Sequence, residues 1–112
     1  MDESANRARQ RLLGLLHAML NGELSYFEGA AEVLRIDLRL IGIPERDPDL
    51  QKFVLIRSGT DHLPLKQQQE LWSAEALSRL RDEFAQTERW AESFAAEACR
   101  DLIERLEVNQ QS

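Results

Sequence analysis

Ser73-Ala74-Glu75-Ala76-Leu77-Ser78-Arg79-Leu80-Arg81-Asp82-Glu83-Phe84 opens a run of chain that reaches Ser112 without one proline or glycine. Alanine, glutamate, arginine and leucine dominate it, and their helix preferences, summed over that length, specify a long C-terminal helix. Leu77, Leu80, Phe84, Ala91, Phe94 and Ala98 recur largely at three- and four-residue steps, after which the apolar stripe moves onto Ala95, Cys99, Leu102 and Leu106. Such drift is what 3.6 residues per turn produces against a seven-residue count. Thr87 stands on the stripe between Phe84 and Ala91, so a cap, kink or break near Gln86-Thr87 is the other reading of this run.

Working back from that run, the rest of the chain also reads as helix. A first helix is predicted from Ser4 to Leu20, with Leu12, Leu15, Leu16 and Met19 on one face and Asn21-Gly22 ending it. Ser25 lies three residues before Glu28, the capping-box spacing, and opens a second helix whose apolar stripe is Phe27, Ala30, Leu34, Leu38 and Ile41. Gly42 and Pro44 stop it. Asp47-Pro48 starts a third, over 48 to 57, because the aspartate caps and a proline in the first turn sacrifices no intrahelical bond. Phe53-Val54-Leu55-Ile56 is long enough for a buried strand, but one strand without a partner is not a stable unit. A helical turn is expected over 65 to 71. The expectation is an all-α chain: one domain over 1–112, a compact bundle of four to five helices with a long C-terminal helix.

With 112 residues and 43% apolar residues, the chain can bury a core of its own. The single cysteine, Cys99, cannot close an intrachain disulfide, which favours a reducing, cytoplasmic setting. The apolar run from Leu12 to Leu20 is too short to cross a membrane. Net charge is -6, and it is placed unevenly: residues 1 to 69 carry 10 acids and 9 Lys/Arg, residues 70 to 112 carry 10 acids and 5 Arg. Nucleic-acid binding rests on a basic surface that neutralises phosphates, so this balance opposes it and favours a basic protein partner.

Two groups of side chains are candidates for function. On the C-terminal helix, Glu88, Glu92, Glu97 and Asp101 recur along one broad flank, and Trp90, one position off the apolar stripe, is the natural surface contact beside them. The alternative is a polar pocket in Arg57-Ser58-Gly59-Thr60-Asp61-His62-Leu63-Pro64, where Arg57, Asp61 and His62 would be joined by Glu23 and Glu28. The structural reading of that segment has Ser58, Thr60 or Asp61 bonding to nearby backbone and holding a turn. No catalytic constellation stands out, because Asp61 and His62 share one short loop whereas catalytic groups arrive from separate elements. His17, His62 and Cys99 fall at no metal-ligand spacing, and no cofactor motif is present. Cys99 reads as a core residue, and Trp72, just ahead of the Ser73 cap, as a hydrophobic staple.

Ser58-Gly59-Thr60-Asp61-His62-Leu63-Pro64-Leu65, followed by Trp72-Ser73 and Ala76-Leu77, resembles a pattern found in a group of small bacterial helical proteins with no assigned activity. Gly22-Glu23-Leu24-Ser25 and Cys99-Arg100-Asp101-Leu102-Ile103 extend the resemblance over most of the chain. The pattern carries an acidic residue where Gly59 stands and an arginine where Gln69 stands. The resemblance implies a bacterial cytoplasmic origin and no particular chemistry.

From these features the expected function is that of a small acidic binding protein that neutralises or regulates a basic protein, as immunity proteins and antitoxin-like inhibitors do. A small enzyme or ligand-binding bundle centred on Asp61 and His62 is the alternative. A homodimer formed through the long C-terminal helices is the third reading.

Overall fold

The computed structural model describes residues 3–111, and no strand occurs among them. Five α-helices follow one another: α1 (Glu3–Leu20), α2 (Tyr26–Val33), α3 (Pro48–Gly59), α4 (Ala74–Arg79) and α5 (Arg81–Gln111). Two 3-10 turns lie between them, at Leu38–Ile41 and at Gln69–Leu71. At about 1.5 Å per residue, a helix of 31 residues is about 46 Å long, so α5 sets the long dimension of the 52 × 26 × 25 Å molecule. The helices α1, α2 and α3 pack along it.

The main core is built where the sequence stripe points. Leu12, Leu15, Leu16 and Met19 of α1 meet Ala91, Ala95, Ala98, Cys99, Leu102 and Leu106 of α5, with Phe53 and Ile56 from α3. Gly29 of α2 is what lets α1 come close, since a Cβ there would lie 2.2 Å from Met19 Sδ. A second, smaller cluster joins Phe27 and Ala31 of α2 to Leu63 and Leu65, with Leu80 and Phe84 against it. Phe27 and Phe84 meet edge to face, with centroids 5.7 Å apart.

Three boundaries differ from expectation. The second helix ends at Val33 rather than Ile41: the chain leaves the helix after Leu34, and Asp37 caps the 3-10 turn that follows through the Arg39 N–H. Leu38 and Ile41 are still buried, because a 3-10 turn also brings residues three apart onto one face. The long C-terminal helix is interrupted at Leu80, where the N–H bonds three residues back to Leu77, and not at Thr87, which lies inside continuous α5. The helix over 48 to 57 runs on to Gly59. The Asp47 cap is as expected, accepting from the Asp49 and Leu50 N–H groups.

Candidate functional site

Glu88 is partly buried, and its carboxylate is engaged within the fold. Its two carboxylate oxygens accept the backbone N–H groups of Tyr26, at 2.6 Å, and Phe27, at 3.2 Å, the first two donors of α2. Ser25 Oγ takes the third, Glu28 N, at 3.0 Å. A negative charge at a helix start also meets the positive end of the helix dipole. Glu28 then has no need to fold back on its own cap, and it accepts the Lys66 N–H at 2.9 Å instead. The signal was present in the sequence: Glu88 is four residues after Phe84 and three before Ala91, which is a core position of the α5 stripe.

The other acids of the candidate surface separate onto two flanks of α5. At about 100° per residue, Trp90, Phe94, Glu97 and Asp101 follow one another along the flank that faces α3. Two contacts fix that side: the Trp90 ring lies over Gly59, and Arg105 bonds Asp49 at 3.0 Å. Glu92 lies on the opposite flank, where its charge acts on the Tyr26 hydroxyl. The structure therefore lines up Trp90, Glu97 and Asp101 along one flank of α5 and leaves Glu88 and Glu92 apart from them. Trp90 remains 40% exposed, with Phe94 edge-on at 5.0 Å, and Leu55, half-exposed, stands one turn before Gly59 on α3.

At the end of that same seam, Arg105 clasps the start of α3. Its guanidinium reaches Asp47 Oδ2 at 2.6 Å, Asp47 Oδ1 at 3.1 Å and Asp49 Oδ2 at 3.0 Å. The hydrogen bond from Arg105 holds the buried Asp47 carboxyl below its ordinary 3.8, whereas burial pushes Asp49 above it. Burial likewise drives the Cys99 thiol up to about 12, so the thiol stays protonated and acts as an apolar core group.

The alternative pocket is assembled only in part. Asp61 and His62 line one cavity of about 280 Å³, and Arg57 is not among its lining residues. The His62 Nε2 pairs with Glu83 Oε2 on the first turn of α5, and Nδ1 lies 3.9 Å from Asp61. The turn itself is held by Thr60, fully buried, whose hydroxyl donates to the Ile56 carbonyl at 2.6 Å. Neither Ser58 nor Asp61 makes the backbone bond expected of it; the Asp61 side chain is 82% exposed. Trp72 precedes the Ser73 cap as foreseen, but its ring lines the cavity with Asp61 and remains 41% exposed.

A larger depression of about 560 Å³ lies elsewhere, between Leu34–Arg39 and α3. Its floor includes Ile43, Leu50 and Val54, and the arginines on its rim, Arg35 and Arg39, are paired with Glu32 and Asp37. None of the candidate binding or pocket residues named from the sequence lines it. Compared with protein-family models, with curated proteins and with solved structures, the chain matches none. Among the described residues, no group of three or more His, Cys, Asp and Glu side chains converges as a metal site would, and no helix is long and apolar enough to cross a membrane.

Proposed function

We propose that this chain is a small acidic binding protein that docks on a basic protein partner and neutralises or regulates it, in the manner of immunity proteins and antitoxin-like inhibitors. Cytoplasmic residence goes with this reading, since Cys99 is a buried, protonated thiol without a disulfide partner. The observation that carries the proposal is the α5 flank facing α3. Trp90 and Leu55 are large apolar side chains left partly in water, and the exposed Glu97 and Asp101 follow about two and three turns further along the same flank of α5, in a part of the sequence with 10 acids to 5 arginines. An exposed aromatic side chain with carboxylates further along the same flank is suited to a partner of opposite charge: the ring supplies the contact that resists dissociation, and the charges speed encounter.

The test is capture of the partner from the source cells, followed by association kinetics with the purified pair. Glu97→Lys with Asp101→Lys should slow association and flatten its salt dependence as salt rises from about 0.01 M to about 0.15 M, over which the screening length falls from about 30 to about 8 Å. Trp90→Ala should act on dissociation and cost about 2 kcal/mol or more of affinity. A partner that is itself acidic, or kinetics indifferent to salt and to the double lysine substitution, overturns the proposal.

A further inference from the structure

The cavity beside Asp61 is unusual for what its walls leave in water. Its floor is Leu63 and Pro64, both buried, and one wall is Leu71 and Trp72. Leu71 is 90% exposed, more than any other large apolar side chain of the chain's described surface. These two residues do not hang on a loose loop. Leu71 N bonds Gln68 O at 3.1 Å and Trp72 N bonds Gln69 O at 3.0 Å, while Gln69 Nε2 bonds Pro64 O and Gln68 Oε1 accepts from Leu65 N. A pinned turn thus presents an indole and a leucine to solvent, an arrangement that forgoes the stabilisation of burying them.

Asp61 lines the same cavity. Its carboxylate accepts hydrogen bonds and donates none when ionised, and the neighbouring His62 ring is 3.9 Å away with its other nitrogen engaged by Glu83. At about 280 Å³ the cavity falls just below the roughly 300–1,000 Å³ of small-molecule pockets, and it is open to solvent. Its size suits one side chain presented by a larger partner. An aromatic ring and a carboxylate lining one cavity are the chemistry that recognises a guanidinium: the flat ion can stack on an indole while its N–H fork meets carboxylate oxygens, which a compact ammonium does less well.

We infer that this cavity receives an arginine side chain of the basic partner, stacked on Trp72 and paired with Asp61, with Leu71 covering an apolar residue next to that arginine. The inference rests on the proposed function, and it adds a second contact to the α5 flank. The two belong to one face without strain. His62 touches Glu83, and from Glu83 to Trp90 along α5 is about 10 Å, well within a standard interface of about 800 Å² per partner.

The test uses the full chain carrying Trp90→Phe, in which Trp72 is the sole remaining tryptophan. A synthetic hexapeptide of alternating leucine and arginine is titrated at physiological salt while Trp72 emission is read. A saturable change is expected, weakened about tenfold by Asp61→Asn, as loss of a charge-assisted bond predicts. It should be weaker for the lysine version of the peptide and absent for the glutamine version. Circular dichroism of each variant must match the parent, and Leu71→Ala, which sits on the surface, serves as a second variant that should weaken binding with the fold intact. No saturation, equal binding by the glutamine or lysine peptide, or indifference to both Asp61→Asn and Leu71→Ala overturns the inference. If partner capture still depends on Glu97 and Asp101 after that result, the proposed function stands without the cavity; if the peptide binds as described but capture ignores salt and those acids, the cavity stands and the proposed function falls.

Discussion

Glu88 shows how much one side chain in the core stripe can decide. Its carboxylate takes two backbone donors at the start of α2, so it holds α2 against α5 as well as capping it. Glu88→Ala is expected to cost about 2 kcal/mol, because two N–H groups lose a charged acceptor at once; urea unfolding against Glu92→Ala, which should be near neutral, measures it. Gly29 is decided by a competition of magnitudes. Alanine in a helix is favoured over glycine by about 1 kcal/mol, but overpacking a filled core costs about 1–3 kcal/mol. The new Cβ would overlap the buried Met19 at 2.2 Å, so Gly29→Ala should lower the urea midpoint; a rise would show that Met19 swings clear. The Arg105 clasp adds a pH dependence. The folded Asp47 carboxyl titrates below its unfolded value, so its contribution is full above that unfolded value and is lost as pH falls through the folded one. Asp49, raised by burial, works in the opposite sense, regaining stability as pH falls from its folded value towards its unfolded one. Asp47→Asn should therefore lower Tm at neutral pH and flatten the further loss of Tm on acidification between about pH 5 and pH 2.

At the scale of elements, what was legible in the sequence is what local chemistry decides. The caps at Ser25, Asp47 and Ser73 and the face of α1 needed only neighbours in the chain, and each stands where its spacing put it. The end of α2 was not legible, because Leu34, Leu38 and Ile41 keep helical spacing whether the backbone continues as α-helix or tightens into a 3-10 turn. Leu80 was equally hidden. It follows no breaker residue, and Thr87, the residue that looked like a breaker, is tolerated inside α5. Of the residues singled out on α5, Trp90, Glu97 and Asp101 share a flank, but acids on a helical wheel do not reveal which one is claimed by another element's backbone, as Glu88 is. The interruption has a measurable consequence. Among its described residues α4 buries no side chain, whereas the second half of α5 is lined by core residues, so amide exchange over Ala74–Arg79 should be fast and over residues 95–106 the slowest in the chain. Uniform protection from Ala74 to Leu106 would mean that the two helices open as one.

For the whole molecule, the consequence lies in having two cores of unequal size along one long axis. The main one ties α1, α2 and α3 to the second half of α5; the smaller one joins Phe27, Ala31, Leu63 and Leu65, with Leu80 and Phe84 packed on it. The smaller cluster is what anchors the segment carrying Asp61 and Trp72, since Leu63, which lines the cavity, and Leu65, two residues on, are both buried in that cluster. Removing Phe84 should then act at a distance. Phe84→Ala takes away the edge-to-face contact with Phe27 and leaves a partly exposed gap, so its cost should be nearer 2 kcal/mol than the roughly 3–5 kcal/mol of a fully buried phenylalanine such as Phe53. If the clusters open separately, the amides of Leu63, Leu65 and Lys66 should lose protection in Phe84→Ala while those over residues 99–106 keep theirs, and affinity for an arginine-bearing peptide should fall though no contacting residue has changed. Hydrogen exchange resolved by residue checks it. Equal loss of protection in both regions would show one cooperative unit, and the cavity would then be as rigid as the main core that lies along α5.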